Sequence, residues 1–179
     1  MATVKILDKT FRTSIPESEI LQHVKAVAKR INNDLADKNP LFLAVLNGSF
    51  IFAADLMREI TIPCEISFVK LASYAGTMST GKVTEVIGIN EDLSDRHIVI
   101  VEDIVDTGRT MQRMIKTLGT RNPASIHLCA LLVKPEKMEE QLNIEYASIE
   151  IPNYFIVGYG LDYDQQGRNL RDIYTIVEL

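Results

Sequence analysis

The densest run of chemistry-bearing residues is Glu102-Asp103-Ile104-Val105-Asp106-Thr107-Gly108-Arg109-Thr110, directly after the apolar segment at 97–101. Two adjacent acids leave the end of a buried strand, and a third follows three residues later. Thr-Gly-Arg-Thr then opens a helix. A helix N-terminus and the turn before it present unpaired N–H groups and the positive end of the helix dipole to an anion. Gly108 lets the backbone approach a ligand closely. The Thr107 and Thr110 hydroxyls add donors, completing a cradle for one phosphate. Carboxylates beside a phosphate repel it unless they bind something else. Vicinal ribose hydroxyls suit a pair of acids, and Mg²⁺ takes oxygen ligands. The string therefore suits a ribose 5-phosphate. A capped helix with solvated acids accounts for each residue alone but not for the nine together.

The elements that position this string are legible in the apolar pattern. Ser14-Ile15-Pro16-Glu17 reads as a capping box with proline near the helix start. Behind it, Ile20, Leu21, Val24, Val27, Ala28, Ile31 and Leu35 keep helical spacing, and Asn39-Pro40 ends the region. Leu41–Leu46 is a continuous apolar run, the mark of a strand buried on both faces. Helices are expected over 50–60 and 110–118. Further strands are expected over 64–71, 82–89, 97–101, 125–133, 154–157 and 173–177. Residues 73–81, with two glycines and no apolar period, read as a loop. Strands alternating with helices predict a mainly parallel α/β sheet. Ligands of such sheets bind outside the carboxyl ends of the strands, so the loops after Leu46, Val101, Val133 and Val157 should share one rim.

Length and composition agree with one domain. The chain has 179 residues, enough to bury a core, with 46% hydrophobic and 24% charged residues. A net charge of −5 gives no basic field for nucleic acid. No apolar run approaches the ~18 residues that span a membrane. The N-terminus lacks an apolar signal core. Cys64 and Cys129 both lie in apolar runs and read as buried free thiols, consistent with a reducing, cytoplasmic compartment. There is no Gly-x-x-x-x-Gly-Lys-Ser/Thr phosphate loop.

Residues 101–110 closely resemble the motif by which type I phosphoribosyltransferases bind phosphoribosyl pyrophosphate (PRPP). Similarity to the hypoxanthine and hypoxanthine-guanine branch of that family covers about residues 10–178. Leu46-Asn47-Gly48-Ser49-Phe50 looks like the family's pyrophosphate loop, and Ser73-Tyr74 like the start of its mobile lid. Leu131-Leu132-Val133-Lys134 looks like the strand end bearing the base-reading lysine. Residues 155–163 with Arg168 look like the purine hood and pyrophosphate arm. Taken singly, Lys134 reads as a loop lysine and Phe155 as a core aromatic.

The resemblance implies a type I phosphoribosyltransferase fold, a mainly parallel twisted sheet flanked by helices. It implies one domain over 1–179, with a core at about 35–150 and a hood made by the N-terminal segment and about 151–179. The implied activity is transfer of 5-phosphoribosyl from PRPP to N9 of hypoxanthine, and of guanine, with Mg²⁺. Residues 102–110 would bind PRPP, with Asp106 catalytic. Asn47, Gly48, Ser73, Tyr74 and Arg168 would bind pyrophosphate. Lys134, Phe155, Ile156 and Asp162 would bind the purine. Glu102, Asp103 and Asp162 would serve the metal. A non-proline cis peptide is expected at or beside Leu46–Asn47. A homodimer or homotetramer is implied, without nucleic acid or membrane. The chain departs from the family at Asn47, where Lys or Arg is common, and at Asn169, where an acid is frequent. The competing readings are a xanthine- or guanine-preferring relative and a non-catalytic PRPP sensor on the same fold.

Overall fold

The computed structural model describes residues 2–73 and 84–177, the side chains of 72, 73 and 84–87 excepted. The chain runs β1 (Thr3–Ile6), β2 (Lys9–Ile15), α1 (Glu17–Asp34), β3 (Leu41–Leu46), α2 (Phe50–Glu59), β4 (Glu65–Ser73), β5 (Thr84–Ile87), β6 (His97–Val105), α3 (Arg109–Gly119), β7 (Ser125–Val133), a 3₁₀ turn (Pro135–Lys137), β8 (Tyr146–Glu150), β9 (Ile156–Val157) and β10 (Ile173–Ile176). The larger sheet has the order β5-β4-β3-β6-β7-β8. Its pairings are parallel except β4 with β5.

Helices cover both faces, which is why the central strands are apolar throughout. Phe42, Ala44, Val99, Val101 and Cys129 pack beneath α1 and α2 with Ile20, Val24, Phe52 and Leu56. Leu41, Leu43, Ile98, Ile100 and Leu128 pack beneath α3 with Met111, Met114 and Leu118. The smaller sheet, β1-β2-β10-β9, is antiparallel. It rests on a core of its own from Ile6, Phe11 and Val157. No helix among the described residues is long and apolar enough to cross a membrane.

Several expectations need correction. β6 does not stop at Val101; it continues to Val105, so Glu102 and Asp103 lie within the strand. Acids have low strand propensity. Here the central position overrides it, because Glu102, Ile104 and Val105 keep ladder partners Ala130, Leu132 and Val133 on β7. The capping box is not formed. Pro16 is the cap residue, and Ser14 Oγ donates to the Ile173 carbonyl. The Glu17 N–H donates instead to Asp172 Oδ1, 2.8 Å away, so a distant acid caps α1. Val157 belongs to the smaller sheet and not to the parallel rim. Cys129 is buried, and burial pushes its thiol up; Cys64 is only partly buried.

Candidate active site

The carboxyl ends of β3 and β6 and the start of α3 enclose a cavity of ≈ 280 Å³ lined by Val45, Leu46, Leu71, Glu102, Ile104, Val105, Asp106, Thr107, Gly108, Thr110 and Met111. All of the string read from sequence except Asp103 and Arg109 thus lines one space. Gly108 caps α3 with φ +81, a left-handed conformation that glycine adopts without steric cost. This turn opens α3 at the cavity's edge, where the Arg109 N–H donates to Thr107 Oγ1 at 3.4 Å. The Arg109 guanidinium is paired with the Glu139 carboxylate.

Glu102 is buried, at 8% exposure. Burial and the adjacent Asp103 push its carboxyl well above the usual carboxylate range. The Asp103 N–H donates to Glu102 Oε1 at 3.2 Å, and the Ile104 N–H to Asp103 Oδ1 at 2.8 Å. A dry carboxylate beside a second one is a standing electrostatic cost unless a cation or hydroxyl donors meet it. Asp106 is divided: Lys137 Nζ lies 2.9 Å from Oδ2, while Oδ1 is buried with no protein partner among the described residues.

Lys134 is buried at 7% exposure, and its N–H donates to the Val105 carbonyl at 3.0 Å. Desolvation lowers its pKa, the Asp106 charge opposes this, and Lys137 adds to it. Its backbone is thereby tied to the segment that carries Asp106.

On the opposite side, the Leu46–Asn47 peptide is cis, as expected. A Cβ built on Gly48 would fall 1.5 Å from Asp103 Oδ2. One built on Gly160, whose φ is +101, would fall 2.1 Å from the Gly48 carbonyl oxygen. The pyrophosphate-loop candidate is thus pressed between the acids of β6 and the bend at 158–161. In this loop the Ser49 N–H turns back to the Val45 carbonyl at 3.4 Å. Arg168 Nη1 donates to the Gly160 carbonyl at 2.8 Å, and Nη2 lies 2.7 Å from Asp162 Oδ1. Asp162 also accepts from the Gln165 N–H.

Other residues stand apart. Asp162 is bound to Arg168, and among the described residues no three His, Cys, Asp or Glu side chains form a metal-holding cluster. Phe155 is 47% exposed and lines a second, larger hollow of ≈ 1110 Å³ with Tyr154 and strands of the smaller sheet. Its ring meets Tyr163 edge-on at 5.8 Å and Phe11 at 6.2 Å. Ile156 is buried. Ser73 ends β4, its side chain outside the description, and Tyr74 with the rest of the expected lid lies outside the described residues. Sequence reading gave no role of their own to Lys137, Asp55 and Tyr159. The Tyr159 hydroxyl donates to Asp55 Oδ2 at 2.7 Å, fixing the arm to α2. The signal for Tyr159 was its place between Gly158 and Gly160, all three at positive φ.

Residues 14–164 match the family model described as phosphoribosyl transferase domain. Hypoxanthine phosphoribosyltransferase of Salmonella typhimurium is 36% identical, covering 95% of this chain and 97% of its own. Its counterpart in Buchnera aphidicola is 40% identical, covering 94% and 97%. A crystal structure of a Bacillus anthracis hypoxanthine-guanine phosphoribosyltransferase superposes with TM-score 0.86 at 35% identity, covering 93% of this chain and 98% of that one. A Trypanosoma cruzi hypoxanthine phosphoribosyltransferase structure gives TM-score 0.86 at 32% identity over 97% and 95%.

Proposed function

The chain belongs to the phosphoribosyltransferase family, and we propose that it salvages 6-oxopurines, joining N9 of hypoxanthine, and of guanine, to C1 of PRPP. The observation that carries this is the placing, at the adjacent ends of β6 and β7, of a buried Asp106 oxygen without a protein partner among the described residues and a buried Lys134. The relatives' names supply the base, and this pair supplies a reason for it. A 6-oxo group accepts a charge-assisted bond from the Lys134 ammonium. An adenine amino group would meet that ammonium donor to donor.

In the reaction the C1–O bond to pyrophosphate breaks and the N9–C1 bond forms. Asp106 Oδ1 takes the proton from N7, which keeps electron density at N9 while it attacks. Phosphate N–H donors at Gly108, Arg109 and Thr110, with the Thr107 and Thr110 hydroxyls, hold the ribose 5-phosphate. Ile104 and Val105 carry that loop. Phe155 offers the purine a face to stack on, worth about 1–3 kcal/mol by analogy with base stacking. Ile156 presents backbone groups to its edge. Arg168 matches the phosphate oxygens of pyrophosphate bidentately, with Gly48, Asn47, Ser73 and Tyr74 around it.

The residues fit Mg²⁺. Mg²⁺ is usually held by one or two carboxylates together with substrate phosphates and water, and the buried Glu102 beside the partly buried Asp103 is such a set. Its chemistry there is to neutralise the charge of the departing pyrophosphate. Asp162, held on Arg168, would help hold the ion, partly through water. The smaller sheet is read as the hood and the larger as the core of one domain over 1–179. A cytoplasmic enzyme of two or four copies goes with this reading.

Steady-state assay of hypoxanthine, guanine and xanthine with PRPP and Mg²⁺ tests it. Formation of the hypoxanthine nucleotide is expected. Tight PRPP binding with no turnover of any 6-oxopurine would reassign the chain as a sensor.

A further inference from the structure

Asp106 is bracketed by two backbone rungs. The Lys134 N–H donates to the Val105 carbonyl, and the Glu139 N–H to the Thr107 carbonyl, each at 3.0 Å. The segment between them is the 3₁₀ turn Pro135–Lys137, closed by the Lys137 N–H on the Lys134 carbonyl at 3.0 Å. This clamp puts the Lys137 ammonium opposite Asp106, 2.9 Å from Oδ2. The turn forms because Pro135, with its fixed φ, suits the first helical position. A three-residue turn then carries the side chain of 137 back toward the strand end.

The two carboxylate oxygens have different surroundings. Oδ2 faces outward to Lys137, whose side chain is 40% exposed. Oδ1 faces inward, buried and without a protein partner among the described residues. An ordinary surface ion pair adds little and leaves both oxygens in water. This one fixes the outer oxygen while the inner one stays dry. Without Lys137, the Asp106 carboxylate is free to turn toward the other cation near it, the buried Lys134 whose charge it already senses.

We propose that Lys137 is a positioning residue: it holds Asp106 by Oδ2, so that Oδ1 points at the imidazole-ring proton of the purine and does not pair with Lys134. This rests on the reading that Asp106 accepts that proton. Nothing in the sequence string 101–110 contains Lys137, and the resemblance gave it no role.

The test is a double-mutant cycle with Lys137→Met, Lys137→Arg, Asp106→Asn and the Lys137→Met/Asp106→Asn pair, assayed with hypoxanthine, PRPP and Mg²⁺. Lys137→Met is expected to lower kcat roughly 10–100-fold, a part of what a general base contributes. PRPP binding, measured separately by calorimetry, is expected to stay within about twofold of wild type, because the Lys137 ammonium is bonded to Asp106 rather than to the phosphate cradle. Lys137→Arg is expected to restore most of kcat. The double variant is expected to be no slower than Asp106→Asn, since a residue acting through another adds nothing once that one is gone. Additive losses, or wild-type kcat in Lys137→Met beside an impaired Asp106→Asn, would overturn the role. A fully active Asp106→Asn would instead remove the proton-acceptor reading itself. If Lys137→Met does not fold, Lys137→Gln carries the same comparison.

Discussion

The Asp103 carboxylate occupies the space where a side chain on Gly48 would begin, with Oδ2 only 1.5 Å from the place of a Cβ. Glycine is therefore required at 48 by contact with the acid rather than by a left-handed turn. Gly48→Ala is expected to push Asp103 out of its position against the loop. Asp103 is only partly buried, so it can rotate outward, and stability should change little. The loss falls on PRPP: its KM should rise about tenfold or more, the range of one misplaced charged contact. Parallel melting curves and PRPP titrations check this. An unchanged KM for PRPP would show that the acid's seat on Gly48 does not matter.

Asp106→Asn should lower kcat about 10²–10⁴-fold, the usual contribution of a positioned acid–base group. PRPP binding should stay nearly intact, because Asp106 lines the cavity beside the phosphate cradle without belonging to it. Retention of more than half the wild-type turnover with hypoxanthine would end the assignment.

Lys134→Ala should raise KM for hypoxanthine far more than for PRPP. A hydrogen bond to a charged group is worth about 1.5–3 kcal/mol, so the expected rise is about 10–100-fold. Lys134 is buried at 7% exposure, and alanine leaves the 6-oxo group without its donor. Equal changes for both substrates would detach the lysine from base reading.

What the sequence could show depended on how local each feature is. The apolar runs Leu41–Leu46 and Ser125–Val133 announce strands because both faces are buried, and no distant partner is needed to recognise them. β8 was missed because Tyr146–Glu150 carries Ser148 and Glu150 and forms the edge of its sheet, paired on one side only. β1 and β2 were missed because only Ile6, Phe11 and Ile15 of those strands are buried. The purine-side residues were found by resemblance, since nothing local separates Phe155 from a core aromatic. Asp172, which caps α1 from 155 positions away, illustrates the limit. A side chain that replaces a local cap leaves no mark near the helix it caps.

Glu102→Gln should stabilise the Mg²⁺-free protein while weakening PRPP binding. Burial, then Asp103, raises the Glu102 pKa above its ordinary 4.5. The folded state then binds this proton more tightly than the unfolded chain, so the group's contribution to stability falls as pH rises through the interval above 4.5. Glutamine does not titrate. Its advantage in melting temperature should be absent below that interval and grow across it. A constant offset at all pH values would mean that packing and not charge explains the change.

The last prediction concerns how Arg168 is held. Its guanidinium is bonded to the Gly160 carbonyl and to Asp162, and the neighbouring Tyr159 anchors the same bend to Asp55 on α2. Tyr159 is almost wholly buried, and burial followed by Asp55 pushes its phenol up, so it remains a donor throughout the working range. Tyr159→Phe removes the donor and leaves Asp55 with Arg58 alone, 3.6 Å away. The cost should be about 1–3 kcal/mol, a drop of about 2–4 °C per kcal/mol in a chain of this size. Loosening the bend should also raise KM for pyrophosphate in the reverse reaction, with KM for the base little changed. Asp55→Asn keeps a carbonyl acceptor for the phenol, so it should be milder on both counts. If Tyr159→Phe melts lower but binds pyrophosphate as wild type does, the hydrogen bond stabilises the fold without positioning Arg168.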